Sequence, residues 1–256
     1  MKLPLDDRGL LLGDGLFETI LVVDGVAHAL PAHLARMASG CASLGLPPLD
    51  ETAACAAITQ AVGRGGSGRL AVRLTLTAGS GGRGLDRPGD LTVRLFATSA
   101  PTAPPLEPAR LMLASTRRNE GSPASRLKTL SYIDGVIARR EARAAGADEA
   151  LMLNNRGEIA SAAAANIFWI AGERLFTPAL ECGVLAGTMR ARVIAAGQAL
   201  GVLVGEVRET PAVLAGADAA FLTNALVGIR EVSAFMDRKF EGSALVGKLA
   251  GAVAAN

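Results

Sequence analysis

The chain has 256 residues, of which 50% are hydrophobic and 20% are charged. This length and composition can build a large core and predict one compact enzyme-sized protein with two subdomains. The 26 basic and 24 acidic residues leave a net charge of +2 and are spread along the chain, so no basic patch indicates binding to nucleic acid or to a membrane surface. Three cysteines without a CxxC pair and only two histidines exclude a disulfide framework and a structural zinc site.

The N-terminus has charged residues where a signal peptide needs an apolar core. No segment supplies the roughly 20 uninterrupted apolar residues of a membrane span. We therefore expect a cytoplasmic protein without nucleic-acid, membrane or metal partners. His28 and His33 have no acidic or nucleophilic partner pattern, and we expect them on a loop and on a helix surface.

Residues 1–97 predict a small N-terminal α/β domain. Residues 17–23 have the pattern of a strand, residues 31–44 that of a helix with a proline in its first turn, and residues 70–77 that of a second strand. Apolar and more polar residues alternate in the second strand. The alternation returns at 91–95 after a glycine-rich turn, which predicts an antiparallel hairpin.

A proline-rich stretch at 98–109 is the one clear break in composition. Its four prolines exclude a helix and favour extended linker geometry. We therefore place the domain boundary there, followed by a larger C-terminal α/β domain over 110–256.

The C-terminal domain alternates predicted strands and helices. Strands are predicted at 111–115, 149–153, 166–170 and 175–177, a turn at 154–157, a helix at 189–200, and a buried strand from 219 that runs into a polar turn at 223–226. A further helical run is predicted to begin beside Lys128.

Lys128 is the most informative residue of this domain. On the predicted helix, one apolar side holds Leu130, Ile133, Val136 and Ile137. Burial against that side would favour the neutral, nucleophilic amine that a Schiff-base lysine needs. The ordinary interpretation of this segment alone is a solvated lysine, because lysine is almost never fully buried.

Two segments could hold an anion. Gly187 and Thr188 precede the helix at 189–200, where free backbone N–H groups could bind a phosphate. Thr223 and Asn224 end a buried strand and could hydrogen-bond a phosphate or a carboxylate. Arg36, on the helix at 31–44, could supply a cation, and the alternatives are ordinary helix capping and a solvated arginine.

Seven motifs occur in the order seen in fold-type IV pyridoxal-phosphate (PLP) enzymes. They are DRGLLLGDGLFET at 7–19, HLAR at 33–36, GSGGRG at 79–84, KTL at 128–130, ANIFW at 165–169, GTMR at 187–190 and TNAL at 223–226. Over nearly its whole length the chain resembles the aminotransferase class IV family. The resemblance implies a two-domain PLP enzyme of the D-amino-acid aminotransferase-like fold, with PLP as its cofactor and a homodimer as its assembly.

The resemblance also implies roles for single residues. Lys128 matches the lysine that binds PLP covalently and acts as general acid and base. Arg36 matches the arginine on the cofactor phosphate. The remaining matched positions are the helix-start loop on that phosphate, Gly187, Thr188 and Met189, and the second phosphate-side turn, Thr223 and Asn224.

Within the family, the chain most resembles the aminodeoxychorismate lyases of folate synthesis, which release 4-aminobenzoate and pyruvate. The alternatives are an aminotransferase of D-amino or branched-chain amino acids and a non-catalytic PLP-binding homologue. Arg83, in the GSGGRG turn, is a candidate for a substrate carboxylate because a guanidinium binds carboxylates bidentately. Phe17 is a second substrate-side candidate, since D-amino-acid aminotransferases tend to have a tyrosine hydroxyl there.

One position departs from the family pattern. Where the family usually has a glutamate that keeps the pyridine nitrogen of PLP protonated, this chain has Ser161, five residues before Asn166. A neutral partner weakens the electron sink that transamination needs, whereas elimination releases the electrons with a leaving group. Ser161 is therefore predicted to favour lyase chemistry, unless Glu158 substitutes for the glutamate through a local shift.

Overall fold

The computed structural model describes residues 3–104 and 107–254, which form two compact units. The first unit runs to Ala103 and also includes Leu127–Ser131; the second begins at Pro104 and resumes at Tyr132. Thr98–Pro101 of the predicted linker form the end of a strand in the first unit. Pro101 is tolerated because it is the last residue of an edge strand. Pro105 and Leu106 of the predicted linker lie outside the described residues.

The first unit is a small α/β domain. Its elements are α1 (Arg8–Leu12), β1 (Gly15–Val23), β2 (Val26–Ala27), α2 (Leu30–Leu44), α3 (Glu51–Gly65), β3 (Arg69–Thr77) and β4 (Arg94–Pro101). The strands pair antiparallel in the order β2-β1-β3-β4. Helix α2 begins with Pro31 in its first turn and ends at Gly45, whose φ of 62° suits glycine.

The core of this unit lies on one face of the sheet. Leu16 and Ile20 of β1 and Leu70, Val72, Leu74 and Leu76 of β3 are buried in a cluster with residues of α2 and α3. The antiparallel pairing of residues 70–77 with the next strand is confirmed, but that strand runs over Arg94–Pro101, so Leu91 and Val93 of the predicted hairpin lie outside it. Burial alternates as predicted only over 70–74, because Thr75 and Thr77 are buried as well. The opposite face of the sheet therefore presents Phe17 and Arg73, because cross-strand partners share a face.

The segment around Lys128 is extended, so the prediction of a helix there is wrong. The Phe17 N–H donates to the Lys128 carbonyl at 2.9 Å, and the Leu130 N–H donates to the Gly15 carbonyl at 3.0 Å. Helix α5 begins only at Ile133, which is 64% exposed. Pairing with β1 satisfies the backbone of this segment, and the apolar side predicted for a helix is not buried as a unit.

The second unit is a larger α/β domain. Its elements are β5 (Ala109–Leu113), α4 (Pro123–Arg126), α5 (Ile133–Ala144), β6 (Glu149–Leu153), β7 (Ile159–Ala162), β8 (Asn166–Ala171), β9 (Arg174–Pro178), α6 (Thr188–Ala199), β10 (Leu203–Val207), β11 (Ala219–Asn224), β12 (Gly228–Phe235), β13 (Arg238–Lys239) and α7 (Ala244–Ala254). The strands form one mixed sheet in the order β10-β9-β8-β11-β12-β5-β6-β7, with β13 paired to β12.

The centre of this sheet is packed on helices. Phe168 of β8 and Phe221 of β11 stack with ring centroids 5.1 Å apart and are fully buried. Val193 of α6 and Leu249 of α7 belong to the same cluster. The predicted α/β class and two-domain architecture are confirmed. None of the described helices combines the length and apolarity needed to cross a membrane.

Candidate active site

Lys128 lies on the face of the first unit's sheet that is opposite its core. Its Nζ is 4.4 Å from the centroid of the buried Phe17 ring, and the Arg73 guanidinium carbon is 3.6 Å from the same centroid. Both cations therefore make cation–π contacts with one ring. The alternating pattern of residues 70–77 already put Arg73 opposite the core, but nothing in the sequence linked it to Lys128.

Arg36 belongs to a buried ionic cluster on the core side of the same sheet. Its Nε and Nη2 donate to the Glu18 carboxylate at 2.8 and 2.6 Å, and His33 Nδ1 lies 2.7 Å from the same carboxylate. Burial raises the pKa of Glu18, but the hydrogen bonds from Arg36 and His33 outweigh burial and hold that pKa below its usual value. His33 is buried, so its predicted place on a helix surface is wrong; Glu18 is the acidic partner that sequence spacing did not show.

Arg83 lies in the glycine-rich loop that connects β3 and β4. Its side chain is exposed, and its carbonyl accepts a hydrogen bond from the Asp86 N–H at 3.2 Å. The loop is held from inside by Arg8, which is buried. Arg83 thus remains open to a ligand while its backbone is fixed.

In the second unit, helix α6 begins at the predicted anion loop. Gly187 is the N-cap residue, no side chain caps the helix, and the first helical bond runs from the Ala191 N–H to the Gly187 carbonyl at 3.0 Å. The N–H groups of Thr188 and Met189 at the helix start therefore have no acceptor within the helix. A Cβ at Gly187 would lie 2.1 Å from Asn166 Oδ1, so a side chain there would have to displace the Asn166 amide. This end of α6 can bind an anion.

Thr223 and Asn224 lie beside this helix start, because Thr223 pairs with Asn166 across β11 and β8. Thr223 Oγ1 donates to the Gly228 carbonyl at 2.7 Å. Asn224 Oδ1 accepts the N–H groups of Leu226 and Val227 at 3.0 Å, and its Nδ2 donates to a carbonyl of the β7–β8 turn. The side chains of Thr223 and Asn224 thus shape the turn, which is the capping alternative that the sequence left open.

Ser161, on β7, is buried with 5% of its surface exposed. Its Oγ has no hydrogen-bond partner within the described part of the chain. Buried hydroxyls nearly always have a partner, and an unmet one costs about 1–3 kcal/mol. An orphaned hydroxyl at the position that the family uses for the PLP nitrogen fits a ring nitrogen as its missing partner.

Glu158 is occupied by other groups. Its carboxylate accepts hydrogen bonds from Asn154, Arg156 and Arg208 at 2.6–3.1 Å. Burial raises the pKa of Glu158, but the hydrogen bonds from these three donors lower it by more, so that the pKa is about 2. The carboxylate is therefore committed to a cluster of cations and amides, and this disfavours the local shift by which Glu158 would replace the missing glutamate.

The chain matches proteins of both activities considered above. The model of the amino-transferase class IV family matches residues 15–235. A protein of Methanocaldococcus jannaschii, provisionally named a branched-chain-amino-acid aminotransferase, is 32% identical over 228 residues, covering 87% of this chain and 78% of that protein. The aminodeoxychorismate lyase of Bacillus subtilis is 28% identical over 235 residues, covering 87% of this chain and 78% of the lyase.

A solved structure agrees with the fold. The crystal structure of 4-amino-4-deoxychorismate lyase from Pseudomonas aeruginosa superposes with a TM-score of 0.88 at 31% identity, covering 100% of this chain and 96% of that one. A family model that spans both units, with relatives matched over most of their length, shows that the chain belongs to the aminotransferase class IV family of PLP-dependent enzymes.

Proposed function

We propose that the protein is a PLP-dependent aminodeoxychorismate lyase that releases 4-aminobenzoate and pyruvate for folate synthesis. The unpartnered Ser161 hydroxyl is the observation that carries this proposal. Relatives with this activity, from B. subtilis and P. aeruginosa, support it. We extend the proposal to a cytoplasmic homodimer, as the sequence led us to expect.

The proposed residue roles follow from the chemistry of each group. Bound PLP supplies an electrophilic carbon for the substrate amine and a ring that withdraws electrons from the bond to be broken. Lys128 holds the cofactor and removes the proton from the ring carbon that carries the amine. By the family resemblance we assign the cofactor phosphate to the start of α6 and to Arg36, although the Arg36 guanidinium also binds Glu18, and we assign the ring nitrogen to Ser161.

The elimination balances without a further reactant. As Lys128 takes the proton, the bond from the neighbouring ring carbon to the enolpyruvyl oxygen breaks, and the electron pair forms the aromatic ring. The leaving group takes up a proton and becomes pyruvate. Because the oxygen leaves with the electron pair of the broken bond, the cofactor does not have to hold a negative charge, and a neutral serine beside the ring nitrogen suffices.

The substrate carries two carboxylates, and Arg73 and Arg83 of the first unit, which are both exposed, are the candidates to bind them. Arg73 shares the Phe17 ring with Lys128, and Arg83 lies on the glycine-rich loop. Phe17 has no hydroxyl for a carboxylate, so we assign it to packing against the substrate. Arginine is suited to this recognition because its planar fork binds a carboxylate through two hydrogen bonds.

A class IV aminotransferase is the second candidate. The similarity to the M. jannaschii protein favours it. The discriminating feature is the partner of the PLP nitrogen, since an aminotransferase needs the ring to hold the substrate's electrons until reprotonation.

We predict that Ser161→Glu increases transamination and decreases lyase activity. A carboxylate at this position would keep the ring nitrogen protonated and deepen the electron sink. The measurement is 4-aminobenzoate and pyruvate release from aminodeoxychorismate, beside 2-oxo-acid formation from a panel of D-amino and branched-chain amino acids. Ser161→Gln, which adds bulk without charge, is the matched control. If Ser161→Glu still binds PLP but its transamination stays at the wild-type level, the role proposed for Ser161 is wrong.

A further inference from the structure

Arg8 occupies an unusual place in the first unit. It is 4% exposed and belongs to the short helix α1. Its Nη1 donates to the carbonyl of Asp86 at 2.9 Å and to those of Gly81 and Gly84 at 3.4 Å, and its Nη2 donates to the Leu85 carbonyl at 2.9 Å. One guanidinium thus gathers four carbonyls of the loop that carries Arg83.

The charge of Arg8 is balanced by Asp14, which also fastens the far side of the loop. Arg8 Nε donates to Asp14 Oδ2 at 2.9 Å, and Arg87 donates to both oxygens at 3.0 and 2.5 Å. Arg87 in turn donates to the Leu44 carbonyl at the end of α2. The hydrogen bond from Arg87 is the main reason that the pKa of Asp14 lies below its usual value, so the carboxylate stays charged at neutral pH.

The loop backbone is shaped to fit this brace. Gly82 has a φ of 80°, and a Cβ there would lie 2.0 Å from the Asp86 carbonyl oxygen and 3.0 Å from Arg8 Nη1. Gly79 has a φ of 74°, and its Cβ would lie 1.9 Å from the Thr92 carbonyl oxygen. Glycine is required at both positions, because side chains rarely adopt this backbone conformation and no space exists for one.

The motif at 7–19, which contains Arg8 and Asp14, also fixes the segment that holds Lys128. The Gly15 carbonyl accepts from the Leu130 N–H, and a Cβ at Gly13 would lie 2.5 Å from Ser131 Oγ. Asp7 anchors the motif itself, because it caps α1 and accepts from Thr77 and Arg94. Residues 7–17 therefore contact both the loop of Arg83 and the segment of Lys128.

We infer that Arg8 is a positioning residue for substrate binding, which holds the loop 79–87 in one conformation and so presents Arg83 at a fixed place relative to Lys128. The inference rests on the proposed function, in which Arg83 binds a carboxylate of the substrate. A prearranged loop spares the ordering entropy that a flexible one loses on binding. The sequence pattern identified the motif as a family feature and assigned it no role.

The test compares Arg8→Lys with the wild-type holoenzyme. Lysine keeps the charge but lacks the fork that reaches several carbonyls at once. Chorismate serves as the probe, because it has both carboxylates of the proposed substrate but no amine, and calorimetry then reports binding without turnover. We expect the Kd for chorismate to rise roughly tenfold, the loss expected for a misplaced charge-assisted contact, and amide hydrogen exchange at 79–87 to become faster.

Two further variants keep the test decisive. Arg87→Lys loosens the loop from a more exposed position and should change both readouts in the same direction if Arg8→Lys fails to fold. Arg64→Lys is the control, since Arg64 lies on α3 and contacts the Ala97 carbonyl rather than the loop. Unchanged chorismate affinity or unchanged loop exchange in the Arg8 and Arg87 variants would overturn the inference, even if the wild type makes 4-aminobenzoate. The proposed function fails separately if the wild-type holoenzyme binds chorismate but releases no 4-aminobenzoate from aminodeoxychorismate.

Discussion

Buried hydroxyls in this protein differ in whether they have a partner. Thr177 is fully buried and donates to the Ile167 carbonyl at 2.8 Å. Thr129 and Ser161 are also buried, but neither hydroxyl oxygen has a partner in the described ranges 3–104 and 107–254. Thr129 follows Lys128 directly, and Ser161 is the position where the family usually has glutamate. The unmet hydroxyls thus lie beside or at residues that the sequence assigned to the cofactor.

We predict different effects on stability for two substitutions that each remove one buried hydroxyl. Ser161→Ala removes a hydroxyl with no partner, so the free energy of unfolding without PLP should stay the same or rise by about 1 kcal/mol, whereas Thr177→Val removes a made bond and should lower it by about 1 kcal/mol. Urea unfolding at neutral pH measures both. Ser161→Ala should also reduce the stabilisation that added PLP gives, because ligand binding stabilises the folded state in proportion to affinity.

The role of Ser161 would be contradicted by one pattern in these data. If Ser161→Ala destabilises the PLP-free protein as much as Thr177→Val, its hydroxyl has a partner in the folded chain and is not waiting for a ligand.

Single residues of the site were predictable where chain order alone identifies them. Lys128, Arg36 and Ser161 came from motif matches, and the structure adds their surroundings. Arg73 and Glu18 were missed because their significance depends on cross-strand neighbours: Arg73 reaches the ring of Phe17, and Glu18 reaches Arg36 from β1. Sequence spacing carries no information about contacts between distant segments.

Among the elements, the start of α6 is the one most directly suited to a phosphate. Gly187 is the N-cap, and the first turn has no side-chain cap. Because Gly187 has no side chain, the Asn166 side chain can approach it closely. Asn166 Nδ2 donates to the Leu185 carbonyl at 3.0 Å. The helix start is thus held open by contacts that a Cβ would disrupt.

We predict that Gly187→Ala weakens PLP binding by roughly tenfold or more, since each 1.4 kcal/mol of lost interaction is a factor of ten. The added methyl would push the Asn166 amide away and crowd the N–H groups that we assign to the phosphate. Fluorescence titration of PLP-free protein with PLP gives the affinity. Gly251→Ala, on α7 at a site with no atom within 4 Å and no positive φ, controls for the added methyl alone. Equal PLP affinity in Gly187→Ala and the wild type would contradict the assignment of α6.

Elements with a strong local pattern were predicted well. Residues 149–153 were predicted as a strand and form β6 with the same bounds, because the run is entirely buried. The helix predicted at Lys128 was wrong because the pairing of this segment with β1 is non-local and overrides a weak helical pattern. Helix α3 was not predicted, because its alanine-rich sequence gives little contrast between its faces.

At the scale of the whole molecule, the chain enters the first unit twice. The proline-rich stretch marked the first passage into the second unit, but no change in composition marks the return of residues 127–131 to the first. Lys128 therefore belongs to the unit of Phe17, Arg73, Arg83 and Arg36, and not to the C-terminal domain where the sequence placed it. The start of α6 and Ser161 belong to the second unit.

The elimination of pyruvate from aminodeoxychorismate is the reaction that we propose for this class IV enzyme. The most direct measurement supplies purified protein and PLP with enzymatically generated aminodeoxychorismate and follows 4-aminobenzoate and pyruvate together, with Lys128→Ala as the control. We expect equimolar release of the two products by the wild type and none by Lys128→Ala. A wild-type protein that binds PLP, forms neither product and converts a D-amino or branched-chain amino acid to its 2-oxo acid would contradict it.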